Sequence, residues 1–195
     1  NVAVQDMSLG FEYKQPWLER EAQIRTHAPY TTGTVAISVG STALVGTSTL
    51  WDTANSYGED NARTSGKIVL QGTTDIYRVA TVGSDTSITL GGKYVGSSAL
   101  SGATYTYFED AYDLASDFRR PIDMQYFAQA YGIKLIPRDE FRRRFPRPYL
   151  AGNPEYACIL DMAPIGNTSP VRRIQFYPYP RTTVLIPYSY VTNAV

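Results

Sequence analysis

The chain has 195 residues, 18 Lys and Arg against 18 Asp and Glu, and 43% apolar residues. That is enough apolar material for one ordinary domain or two small ones, and a net charge of zero argues against nonspecific nucleic-acid binding by the whole chain. The single cysteine, Cys158, excludes an internal disulfide, and no apolar run reaches the roughly 18 residues of a membrane-crossing helix.

Residues 1–15 carry Val4, Met7 and Phe11 at helical spacing, and Pro16 closes that stripe. Residues 17–26, WLEREAQIRT, are expected to be extended or briefly helical, and HAPY at 27–30 is a turn-prone connection. Asn1 is not a Met and the final run SYVTNAV is strand-like, so further elements are expected beyond both ends.

Composition changes abruptly at Gly33. Residues 33–108 hold 11 of the 15 Gly and none of the 12 Pro. Val35, Ile37 and Val39 alternate, as do Tyr77, Val79 and Thr81, and short apolar runs are separated by Gly, Ser and Thr. Gly83-Ser84-Asp85 reads as a hairpin turn into Ile88 and Leu90. The polar stretch from Asp52 to Ser65 reads as a loop. Five or six short strands are predicted, forming an antiparallel β barrel or sandwich inserted into the rest of the chain.

The flanks are rich in Pro, Tyr and Arg. Pro121 begins a strand-like run, IDMQYFA, that ends at Gly132. Pro137, Asp139 and Glu140 open a short helix that continues as FRRRF and stops before Pro146. Residues 156–162 and 172–177 read as strands. The latter and VLIPYSYV are predicted to form a hairpin with a Pro-containing connection. The overall class is α+β and β-rich: a base of residues 1–32 and 109–195, and an inserted β domain of residues 33–108.

Catalytic signatures are missing. One histidine, His27, excludes His-rich zinc sites, and neither G-x-S-x-G nor a glycine-rich phosphate loop occurs. His27 stands before a proline at the domain seam and reads as structural. Glu109, Asp110, Asp113 and Asp117 form an acidic cluster that does not match a calcium loop. Beside Arg119 and Arg120 it reads as local charge pairing or a solvated seam.

From Lys134 to Arg147 six cations face two acids. Arg138, Arg142, Arg143, Arg144 and Arg147 dominate this cluster, and arginine favours forked contacts to carboxylate or phosphate. A solvated face, a protein interface and nucleic-acid contact are its three readings. Its acidic neighbour suggests head-to-tail pairing between subunits, the kind of contact that closes rings. Tyr supplies 16 of the 25 aromatic residues, which fits either strand preference or burial against another protein.

The stretch APYTTGTVAISVGSTALVGTSTLW, the closing SGATYTYFEDAYDLASDFRR, and the later PEYACIL and VRRIQFYPYPRTTVLIPYSYV resemble the head-to-tail adaptor proteins of tailed phages, over roughly residues 17–191. The family's long helices are barely represented here. The resemblance implies a structural virion protein of the neck, without catalysis, cofactor or metal, assembled in the host cytoplasm. It implies a ring, usually of twelve copies, bound to the portal protein and to a tail or nozzle protein, continuing a channel through which DNA passes without specific binding, and no membrane partner. Under it, Arg119, Arg120 and the arginines from Arg138 to Arg147 are expected to meet the portal or neighbouring subunits. Tyr177, Tyr179, Tyr188 and Tyr190 are expected to be interface anchors. The alternatives are another neck or tail component (stopper, nozzle or tail-tube protein) and a carbohydrate-binding module of a tail fibre, with Trp51 and Tyr57 as exposed platforms. A hydrolase using paired acids is the remaining class.

Overall fold

The computed structural model describes residues 18–64, 66–124, 132–160 and 172–192. The helical stripe expected in residues 1–15 lies outside them. The chain is β-rich, with one short helix among the described residues. In chain order the elements are β1 (Glu19–Arg25), β2 (Thr34–Ile37), β3 (Ala43–Thr47), β4 (Lys67–Leu70), β5 (Ile76–Ser84), β6 (Ser87–Leu90), β7 (Leu100–Ala103) and β8 (Tyr105–Phe108). There follow β9 (Ala111–Asp113), β10 (Phe118–Met124), β11 (Lys134–Leu135), α1 (Arg138–Arg144), β12 (Ala151–Gly152), β13 (Tyr156–Leu160), β14 (Arg173–Tyr177), β15 (Tyr179–Pro180) and β16 (Leu185–Thr192).

Strands β2 to β8 form a single antiparallel sheet in the order β7-β2-β3-β6-β5-β4-β8. Its outer strands, β7 and β8, are separated in the chain by Thr104 alone. The sheet must therefore curl until its two edges meet at one corner, which makes it a partly closed barrel. The alternation read from the sequence is the pleat of this barrel. Val35, Ile37, Leu44, Ile68, Tyr77, Val79, Ile88 and Leu90 all point into one buried core with Tyr105 and Tyr107. The sheet has seven strands, one more than the upper expectation. The additional strand, LSGA of β7, shows no apolar alternation and owes its order to pairing with β2 across a register shift.

The chain enters and leaves this barrel side by side. Tyr30 and Tyr107 exchange both backbone hydrogen bonds, each at 2.9 Å. Gly33, just inside the entry, has φ +84°, and a Cβ there would stand 2.4 Å from the Thr47 carbonyl oxygen. Only glycine fits a backbone that close to its neighbour.

The rest of the described residues build a two-stranded sheet, β12 with β15, and two larger ones. One has the order β1-β16-β10 and the other β11-β13-β14-β9, with β11 parallel to β13. A separate core lies between them, including Ile24, Tyr112, Phe118, Ile174, Phe176, Ile186 and Tyr188. Residues 17–26 resolve as a strand from Glu19 onward. The expected hairpin between β14 and β16 does not form. β14 lies between β13 and β9, whereas β16 lies between β1 and β10. The intervening run holds two prolines, Pro178 and Pro180, and β15 within it pairs with β12 instead, so the chain changes sheet where a hairpin would have turned back.

The expected helix is present as α1. Asp139 and Glu140 occupy its first turn and Arg142, Arg143 and Arg144 its last, the arrangement that complements the helix dipole. Phe141 is its buried residue and packs with Ile136, Cys158 and Leu160.

Candidate interaction surface

The acidic cluster is absorbed by the chain itself, and its partners are distant in sequence rather than Arg119 and Arg120. Glu109 and Asp110 are buried, at 4% and 1% exposure. Both Glu109 oxygens are held by Arg63, and one also accepts the Tyr107 hydroxyl at 2.6 Å. Asp110 accepts from Lys67 Nζ at 2.5 Å and from Gln175 Nε2 at 2.6 Å. Asp113 accepts from Arg173 Nε at 2.7 Å. Asp117 accepts from the Tyr190 and Thr192 hydroxyls. Since Arg63 and Lys67 belong to the barrel, and Glu109 and Asp110 to the segment leaving it, these pairs brace the barrel against the base.

The electrostatics follow from this burial. Burial opposes the Arg63 charge, but the hydrogen bond and charge of Glu109 outweigh it and raise the guanidinium pKa. Burial and then the Glu109 charge push the Tyr107 and Tyr112 hydroxyls well above the ordinary tyrosine value. Such groups stay neutral and serve as fixed donors. His27 is buried in the same region. Its Nδ1 lies 2.7 Å from the Ala28 carbonyl, its Nε2 lies 3.2 Å from that of Asp60, and its ring meets Tyr107 edge-on.

The four tyrosines expected as anchors are used internally. Tyr179, Tyr188 and Tyr190 are buried. Tyr179 stacks on Phe108 with centroids 4.3 Å apart, Tyr188 accepts the Ala115 N–H, and Tyr190 stacks on Phe118. Tyr177 is half-buried and stacks on Phe145 at 3.8 Å. Side chains already covered by their own chain have little area left for a partner. Trp51 is likewise fully buried in the barrel core, where its indole N–H donates to the Tyr105 hydroxyl at 2.9 Å. It is therefore no sugar platform. Tyr57 remains 54% exposed, with the Arg25 guanidinium over its ring.

The arginines stay at the surface. Arg119 and Arg120 are exposed on β10, which is an edge of its sheet. The Arg119 carbonyl accepts a hydrogen bond from Arg172. On α1, Arg143 pairs with Asp139 and Arg144 with Glu140, one turn apart in each case. Arg144 also lies over Tyr156. Arg147 reaches the barrel, donating to the Thr74 hydroxyl at 3.0 Å.

Between α1 and β5 lies a cleft of about 360 Å³. Arg78 of β5 and Arg138 and Arg142 of α1 line it, above Phe141, Leu160 and Gln175. Arg138 and Arg142 were legible as part of the basic cluster. Arg78 was not, because it is a lone cation in an alternating strand and only the fold brings it opposite the helix. Among the described residues, no group of three or more His, Cys, Asp or Glu is placed to hold a metal ion.

Comparison with protein-family models, curated proteins and solved structures finds no match to this chain.

Proposed function

We propose that this chain is a structural subunit of a phage neck: a head-to-tail adaptor that assembles as a ring, twelve copies by the resemblance, between the portal protein and a tail or nozzle protein. The observation that carries the proposal is the unequal fate of its charges. Buried acids are consumed in bracing barrel to base, while Arg119, Arg120, Arg138, Arg142, Arg143, Arg144 and Arg147 stand at the surface. A braced two-part body with an arginine-bearing face suits a subunit that docks rigidly against acidic partners. The internal use of Glu109 and Asp110 removes them as the acidic half of a head-to-tail contact, so the partner's carboxylates must come from elsewhere. DNA in the channel would pass these subunits without a specific site.

The test is the light-scattering mass of the protein with and without the portal ring of the same virus. A portal-dependent rise equal to a full ring of copies is the expected result. A monomer indifferent to the portal would overturn the adaptor reading.

A further inference from the structure

We infer that the cleft between β5 and α1 is a docking site for an acidic segment of a partner protein, one that presents a carboxylate beside an apolar side chain. The chemistry is set by what lines it. Arg78, Arg138 and Arg142 line it from two elements, and among the described residues no Asp or Glu lines it. Among the described residues, Asp110 holds Lys67 and Gln175, Asp139 holds Arg143, and Glu140 holds Arg144. Lys67 stands directly across the β4–β5 ladder from Arg78, so Asp110 is drawn to the barrel side of the junction. The exposed guanidiniums of Arg78 and Arg142 face the cleft with their fork geometry available for bidentate carboxylate contact.

The lower part of the cleft is apolar. Phe141 and Leu160 are buried beneath it, so an occupant gains from an apolar group placed next to its anion. The volume lies in the range that accommodates one or two side chains rather than a strand or helix. A nucleic-acid backbone is a poorer match. It presents phosphates along a line and is bound by cations spread along a track, whereas these arginines line a single cleft. The net charge of zero supplies no long-range pull toward a polyanion.

The inference shares Arg138 and Arg142 with the neck reading but needs neither ring nor portal, so the two fail separately. Its test uses the purified chain and an array of fluorescein-labelled peptides in which glutamate or aspartate flanks leucine or phenylalanine. Matched peptides carrying glutamine and asparagine, and a single-stranded DNA oligomer, serve as comparisons. Binding is expected for acidic members only. Arg78→Glu and Arg142→Glu should each weaken it at least tenfold, while Lys93→Glu, at an exposed residue that does not line the cleft, leaves it within twofold. Both cleft residues are exposed, and circular dichroism checks that the variants fold. Arg78→Ala and Arg142→Ala give the same reading should a reversal disturb the fold. Silence across the array, equal binding of amide peptides, tighter binding of DNA, or an equal loss with Lys93→Glu would each overturn the inference.

Discussion

Arg63 and Glu109 hold each other through two parallel hydrogen bonds, Nε to Oε1 at 2.9 Å and Nη2 to Oε2 at 2.7 Å. The pair stands where the chain leaves the barrel, and Tyr107 ties into it from both sides. The Arg63 N–H donates to the Tyr107 hydroxyl at 2.8 Å, and that hydroxyl donates to Glu109. Removing Arg63 leaves a buried carboxylate with one hydroxyl for company. Breaking a buried pair costs about 3–5 kcal/mol. The Arg63 side chain is 32% exposed, so Arg63→Ala is expected near the low end, about 3 kcal/mol. Urea unfolding measures it. A double-mutant cycle with Glu109→Gln should show strong coupling, and additive losses would mean the pair does not brace the junction.

Trp51 offers a second stability prediction. It is fully buried and donates to Tyr105, with ring centroids 5.6 Å apart in an edge-to-face contact. Trp51→Ala leaves a large cavity and strips the Tyr105 hydroxyl of its donor, leaving it only its own bond to the Thr32 carbonyl at 2.7 Å, a loss of roughly 3–5 kcal/mol. Thermal or urea unfolding should register that loss. Wild-type fluorescence should not respond to added sugars, because the indole is covered. A saturable sugar response abolished by Trp51→Phe would contradict this placement.

These two sites mark where sequence reading succeeds and where it stops. The barrel strands are legible because period-two alternation is a local property, and Val35, Ile37, Tyr77 and Val79 display it within a few residues. Helix α1 is legible for the same reason, through Pro137, its leading acids and its trailing arginines. Pairing is not local. Glu109 finds Arg63 and Asp110 finds Gln175 across the fold, and no spacing encodes either match. Trp51 sits in a polar run that reads as a loop, yet the barrel closes over its ring. The one hint was Tyr105, an inward position on β8 whose hydroxyl needs a partner when buried. β16 was read correctly as a strand but given the wrong neighbour, because alternation defines a buried face and leaves the choice of adjacent strand to the tertiary fold.

Cys158 gives a chemical test of the base. It lies in β13 against Phe141 and is buried. Burial pushes its thiol up from 9.0 to about 11. The neutral thiol is a poor nucleophile, so native protein should react with iodoacetamide at mildly alkaline pH at least about tenfold more slowly than unfolded protein. The sign of the linkage follows. The raised value contributes stability that is complete below pH 9 and is lost as pH rises toward 11. Rapid labelling of the native chain would show that β13 and α1 open readily.

Tyr190 and Asp117 form a pair whose two halves fail at opposite ends of the pH scale. The Tyr190 hydroxyl donates to Asp117 Oδ1 at 2.8 Å, and Thr192 donates to Oδ2 at 2.9 Å. Burial, then the hydrogen bond and charge of Asp117, push the tyrosine from 10.0 up to about 12. The hydrogen bonds from Tyr190 and Thr192 hold the Asp117 carboxyl below its ordinary 3.8. The tyrosine's contribution is thus complete below pH 10 and lost as pH rises through about 12. The carboxylate's contribution is present above pH 3.8 and lost as pH falls below it. Tyr190→Phe removes the phenol and relaxes the carboxyl toward its ordinary value. The gap in denaturation midpoint between wild type and Tyr190→Phe is therefore expected to be widest between those limits and to narrow on both sides. A gap that stays constant from acid to alkali would mean that the hydroxyl and the carboxylate do not interact in solution.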